Sequence, residues 1–156
     1  MKTAERFASS IGKGLVAGFA GTAAMTASST LEANLRGRAP SSAPARAAAK
    51  VLGIKIFEDA VAQARFNDPS HWGYGTGWGI VRGLLDVAGV PPRRATAAHG
   101  AAVWVSAQVS LPALDIAPPS VVWAKEEIAI DAFHHAVYAV ATGMAYELLS
   151  SRDGAG

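Results

Sequence analysis

Ile128–Leu149 reads IAIDAFHHAVYAVATGMAYELL, an apolar run of helical length that carries Asp131, His134, His135 and Tyr138 in its first half. Asp131, His134 and Tyr138 recur at i, i+3 and i+7, so a 3.6-residue period puts them on one helix face. His135 borders that face at i+4, and Glu127 extends the stripe backward by a turn. A run of this length matches the ~20 residues that cross a hydrocarbon core. Charge turned toward lipid costs several kcal/mol, so the stripe must face protein or water. The fold expectation grows from this stretch: spanning helices with polar side chains turned inward.

The totals agree. Charged residues are 17% of the 156-residue chain, against ~25% in an average soluble domain. Hydrophobic residues make up 51%, mainly Ala, Gly and Val. The length predicts one bundle domain over residues 1–150 and a short flexible tail, 151–156. A net charge of +2, scattered along the chain, gives no argument for nucleic acid. With no cysteine, disulfides, thiolate catalysis and Cys-based zinc or iron–sulfur sites are excluded.

Upstream lie three more apolar stretches. Ile11–Leu31 follows a basic start but has spanning rather than signal-peptide length, and no clear Ala-x-Ala site follows it. Gly14 and Gly18 form a Gly-x-x-x-Gly pair, continued by Gly21, Met25, Ser28 and Glu32; small residues at this spacing let helix backbones approach closely in lipid. His71–Val90 opens on His-Trp-Gly-Tyr-Gly-Thr-Gly-Trp-Gly, which fits neither a Walker loop nor a dinucleotide fingerprint. It reads as a helix start at a membrane interface, with Trp72, Tyr74 and Trp78 as an aromatic belt. Gly75, Gly79 and Gly83 recur every fourth residue as a second close-packing face, and Arg82 and Asp86, four apart, are expected to pair along the helix. Pro91-Pro92 ends this span. Ala95–Leu114 is the third, carrying His99, Trp104 and Gln108, and Pro112, Pro118 and Pro119 break the chain before the fourth.

Between the first two spans the composition turns basic, with Arg36, Arg38, Arg46, Lys50 and Lys55 around a turn at Pro40-Ser41-Ser42 and Pro44. Short helices are expected over Ala45–Leu52 and Glu58–Phe66. With Val51, Ile54, Ile56 and Phe57 among them, this connector is either an amphipathic segment at the headgroup level or a solvated loop.

Alternating spans bring Glu32, His71, Asp131, His134 and His135 to one level, and Lys13, Asp86, His99 and Glu147 to the other. The first group is the candidate site. Imidazole and carboxylate suit a divalent metal, and Asp131-x-x-His134 is similar to the Glu-x-x-His pairs of di-iron bundles, although only one such pair exists here. The same groups suit a proton or small-ion relay. Otherwise they cap helix ends and bond one another.

Taken together, the Gly-rich first span, Glu32 with Arg36-Gly37-Arg38-Ala39-Pro40-Ser41, His71-Trp72-Gly73-Tyr74-Gly75, and His135-x-x-Tyr138 resemble the YagU-like family of small bacterial inner-membrane proteins. The likeness covers Ile11 to Leu149. It implies a multi-pass inner-membrane protein and carries over no catalytic residue.

The expectation is therefore an all-α polytopic membrane bundle of four transmembrane helices, with a short interfacial helical connector between the first and second. Lys2, Arg6, Arg93, Arg94 and Arg152 favour both termini in the cytoplasm, against the basic connector. The leading role is non-enzymatic, structural or partner-binding, with the lipid bilayer, a second copy or another membrane protein as partner through the Gly-rich faces. No cofactor is predicted. An ion relay, or a metal-dependent membrane enzyme with a divalent ion, are the alternatives, and a soluble helical bundle is the structural rival.

Overall fold

Asp59 sets the start of a helix longer than the sequence pattern predicts. Its Oδ1 accepts from the Ala62 N–H at 2.7 Å, capping a helix that runs without interruption from Ala60 to Val87. The expected helix start at His71 and the short helix ending at Phe66 are one element. Pro69 lies inside it, where it removes one rung of the ladder and crowds a carbonyl one turn back; Ser70 Oγ donates to the neighbouring Phe66 carbonyl at 2.6 Å.

The computed structural model describes residues 3–39, 41–54 and 59–153. Lys55, Ile56, Phe57, Glu58 and Pro40, to which the sequence reading gave roles in the connector, lie outside them. Among the described residues the chain is all-helical: α1 (Thr3–Leu35), α2 (Ala43–Val51), α3 (Ala60–Val87), α4 (Pro92–Ala113) and α5 (Lys125–Asp153), with one 3-10 turn at Ser120–Val122. Pro92 opens α4 at the first helical position, where its missing N–H is no loss. At the far end of α4, Ile116 N–H bonds Leu111 O and Asp115 N–H bonds Pro112 O, both at 2.9 Å. This is a Schellman turn with Asp115 at φ 50°, the left-handed position that Gly89 fills after α3. Lys50 Nζ donates to the Leu114 carbonyl at 2.5 Å and pairs with Asp115 at 2.9 Å, tying α2 to this corner. α5 continues through Asp153, into the stretch expected to be a tail.

The helices alternate in direction. Along α1, Ser10 meets Asp86, Gly18 meets Gly79 and Thr26 meets His71, so α3 runs antiparallel to it. Gly21 meets Tyr138, Ser28 meets His134 and Arg36 meets Glu127, so α5 does too. On α4, Gly100 meets Ala139 and Trp104 meets Asp131, which makes α4 antiparallel to α5. α1 is thus held between α3 and α5, with α4 against α5 and α2 against α3.

Glycine sets the closest approach. A Cβ on Gly79 would stand 1.9 Å from the Gly14 carbonyl oxygen, and one on Gly83 2.4 Å from that of Ser10. Gly14 and Gly18 of the first Gly face read from sequence therefore meet the Gly79 and Gly83 side of the second across α1 and α3, whereas Gly21 and Ser28, read as the same stripe, turn to Tyr138 and His134 of α5. Using the Gly faces against a second subunit would require parting these helices. The aromatic string sits at mid-helix rather than at a helix start: Gly75 lies against Thr22, and Trp72 packs on Phe19 with ring centroids 4.8 Å apart.

The interior is small and polar. Among the described residues its buried apolar members are Ala17, Ala33, Ala45, Ala49, Ala95, Val103 and Ala139 with two tyrosines, and the largest fully buried side chains are Arg82, Tyr138, Tyr146, His99, Thr22 and Thr142. Phe19, Val109, Phe133, Val140, Met144 and Leu148 face outward. The accessible surface is 9471 Å², where a compact soluble monomer of this mass exposes roughly 7,400 Å². Among the described residues, no helix is long and apolar enough to cross a membrane.

Candidate functional site

His71 and His134 each bond a hydroxyl of α1, at Thr26 and Ser28. Residues two apart on a helix point about 200° from one another, so the two histidines lie on opposite flanks of α1. On the α3 flank, Thr26 Oγ1 donates to the Thr22 carbonyl at 2.7 Å and stands 2.9 Å from His71 Nε2. The hydroxyl proton is already committed, so the His71 Nε2–H is the donor to Thr26. On the α5 flank, Ser28 Oγ is 2.7 Å from His134 Nδ1, and the other ring nitrogen is 3.8 Å from Glu32 Oε2. A hydroxyl donating to Nδ1 puts the proton on Nε2, directed at the carboxylate. Glu32 and His134 therefore share a site, one step beyond hydrogen-bond length.

Asp131 belongs to a different interface. Its Oδ2 accepts from Trp104 Nε1 at 2.8 Å and Gln108 Nε2 at 2.9 Å, both on α4. His135 Nδ1 donates to the Asp131 carbonyl at 2.8 Å and is 3.5 Å from its Oδ1. Trp104 and Gln108 were visible in the sequence as polar residues one turn apart, with nothing to name their partner. The five candidate residues thus share a level but divide among three interfaces: His71 on α1–α3, Glu32 and His134 on α1–α5, Asp131 and His135 on α4–α5. The single pocket expected from the Asp131/His134 stripe is not formed. Among the described residues, no three His, Asp or Glu side chains gather closely enough to hold a metal ion.

The other level carries the group that sequence reading misassigned. Arg82, 2% exposed, stacks its guanidinium 4.1 Å from the centre of the Tyr146 ring instead of making the expected ion pair with Asp86. Asp86 accepts from Ser10 Oγ at 2.9 Å. Nearby, His99 Nε2 lies 3.0 Å from the Trp78 carbonyl, with its ring 5.5 Å from that of Tyr138. Tyr138 Oη in turn donates to the Gly75 carbonyl at 2.6 Å, joining α5 to α3.

A charged network closes the end of the bundle beyond Glu32. Glu32 binds both Arg36 and Arg38, and Arg36 reaches across to Glu127 at 2.5 Å. The arginines follow the C-terminus of α1 and the glutamates open α5, so each sign also complements its helix dipole. The Arg38 guanidinium, with Arg36 beside it, holds the Glu32 carboxyl down at about 2, from an ordinary 4.5. Arg36 likewise lowers Glu127. A carboxyl lowered in the folded state contributes stability that is complete above pH 4.5 and is lost as pH falls toward 2. Melting temperature is expected to drop across that window, and Glu32→Gln is expected to flatten the drop. Parallel curves for the two proteins would reject the assignment.

What this geometry does chemically is to hold helices in register through hydrogen bonds between neighbours. No protein-family model, curated protein or solved structure matches the chain.

Proposed function

We propose that this chain is an integral membrane protein whose α1, α3, α4 and α5 cross the bilayer in alternating directions, and whose role is structural or partner-binding rather than catalytic. The observation that carries the reading is the inversion of burial. A soluble bundle buries Leu, Ile, Phe and Met and exposes charge. Here, among the described residues, the largest fully buried side chains are an arginine, a histidine, two tyrosines and two threonines, while Phe133 and Met144 are 59% and 62% exposed. In lipid, large apolar residues gain nothing by turning inward. Small residues and interhelical hydrogen bonds make the contacts instead.

The same inversion accounts for the modest apolarity of each helix. An inward face of Ala, Gly, Ser and Thr lowers the average, although even α4, with 22 residues, exceeds the ~20 that a crossing needs. The resemblance to the YagU-like inner-membrane family points the same way. A proton relay or metal enzyme would need Asp131 to act with His134, and these two serve different neighbours.

The absence of native cysteine makes the test direct. In intact cells, Ser41→Cys and Ser120→Cys are expected to react with a membrane-impermeant maleimide, and Ala88→Cys only after the membrane is opened. That pattern corresponds to both termini in the cytoplasm. Equal labelling at all three positions, or recovery of the protein in the supernatant without detergent, would overturn the proposal.

A further inference from the structure

Between α4 and α5 runs an open groove of about 420 Å³, its floor paved by Ala97, Gly100, Ala101, Ala132, Ala136 and Ala139. It exists because these two helices meet through small side chains. A Cβ on Gly100 would stand 2.7 Å from the Ala139 methyl, and one on Gly143 2.3 Å from Thr96 Oγ1. The backbones therefore approach closely, and the flanks of the contact stay unfilled. One end is marked by Arg93 and the other by Trp104 and His135; no acidic side chain lines it.

Resting on the membrane reading above, we propose that this groove holds one acyl chain of an anionic glycerophospholipid, with the phosphate at Arg93. Length and charge select this occupant. Arg93 and Trp104 stand eleven residues apart, which at ~1.5 Å per residue is about 16 Å. Half of a ~30 Å hydrocarbon core is about the same. The groove thus runs from the start of α4, where Arg93 and Arg94 meet the headgroups, to mid-bilayer, the reach of a chain from a single leaflet. Among the described residues no carboxylate pairs with Arg93, so its charge is available to a phosphate. The far end is closed by the Trp104–Asp131 pair, whose polar atoms are already bonded to each other.

The test uses Trp104 as the reporter. The full-length chain, with Trp72, Trp78 and Trp123 replaced by Phe, is reconstituted into phosphatidylcholine vesicles containing either phosphatidylglycerol or phosphatidylcholine brominated at mid-chain. Brominated phosphatidylglycerol is expected to quench Trp104 with about fivefold higher apparent affinity than the brominated zwitterionic lipid, the effect of one basic residue on an anionic lipid. Arg93→Gln, at an exposed position that leaves the fold intact, is expected to bring the two lipids to parity. Ala136→Phe, filling the groove, is expected to abolish quenching by both. Equal quenching that Arg93→Gln does not alter overturns the lipid site and leaves the membrane reading standing. A chain that stays in the aqueous phase in the presence of vesicles overturns both.

Discussion

Gly79→Ala is expected to destabilise the folded bundle by about 3 kcal/mol, the upper part of the range for overpacking a close contact. Gly77→Ala, two residues away, is expected to be neutral or up to ~1 kcal/mol stabilising. The two substitutions add the same methyl to the same helix. At Gly77 the methyl would meet nothing within 4 Å; at Gly79 it would stand 1.9 Å from the Gly14 carbonyl oxygen. The obstacle is backbone, so no side-chain rotation relieves it, and α1 must move away from α3. That movement also strains the Ser10–Asp86 and Thr26–His71 bonds, which lie on either side of the contact. Melting of both variants beside the parent, followed by circular dichroism, gives the comparison. Destabilisation of equal size at both positions would reduce the seam to a general intolerance of side chains.

The Gly seam was legible because it depends only on spacing within each helix. Gly14 and Gly18 on α1 and the four-residue repeat on α3 have to face something, and in this antiparallel pair they face each other, while Gly21, on the same stripe by spacing, packs on Tyr138 and Thr142 of α5. The common level of His71, His134 and Asp131 was legible for the same kind of reason, since alternation fixes height. Which neighbour each residue touches was not. Asp131 and His134 are about 60° apart around α5, a single stripe by periodicity. α5, however, sits between α1 and α4, and the gap between those two neighbours falls inside the stripe. His134 turns to Ser28, and Asp131 turns to Trp104. The start of α3 was hidden for a local reason: Pro69 reads as a boundary, yet Asp59 caps the helix ten residues earlier and the chain runs through. Arg82 was misread because i, i+4 spacing favours Asp86, and no short-range pattern links Arg82 to a ring on α5.

Tyr146→Leu is expected to cost about 3–5 kcal/mol, the penalty for leaving a buried charge without its partner. Arg82 is nearly inaccessible, and its Nε and Nη1 have no hydrogen-bond partner among the described residues. The Tyr146 ring lies 4.1 Å from the guanidinium carbon and faces the positive charge, with Asp86 and Glu147 as the acids whose field also favours it. A desolvated cation–π contact is itself worth about 2 kcal/mol, and the rest of the cost is the stranded cation. Arg82→Met keeps much of the side-chain volume while removing the charge, and is expected to cost less than ~1 kcal/mol. The double variant, Arg82→Met with Tyr146→Leu, is then expected to lie within ~1.5 kcal/mol of the parent, far above the sum of the single effects. That non-additivity separates an electrostatic partner from a ring that merely fills space, because loss of packing alone would persist in the double variant. If the two costs add, Tyr146 is a packing residue and the cation is compensated elsewhere, with Asp86 the nearest acid on its own helix. A pair coupled in this way would give α3 and α5 a fixed register through the interior, as Tyr138 Oη bonding the Gly75 carbonyl does about two turns away.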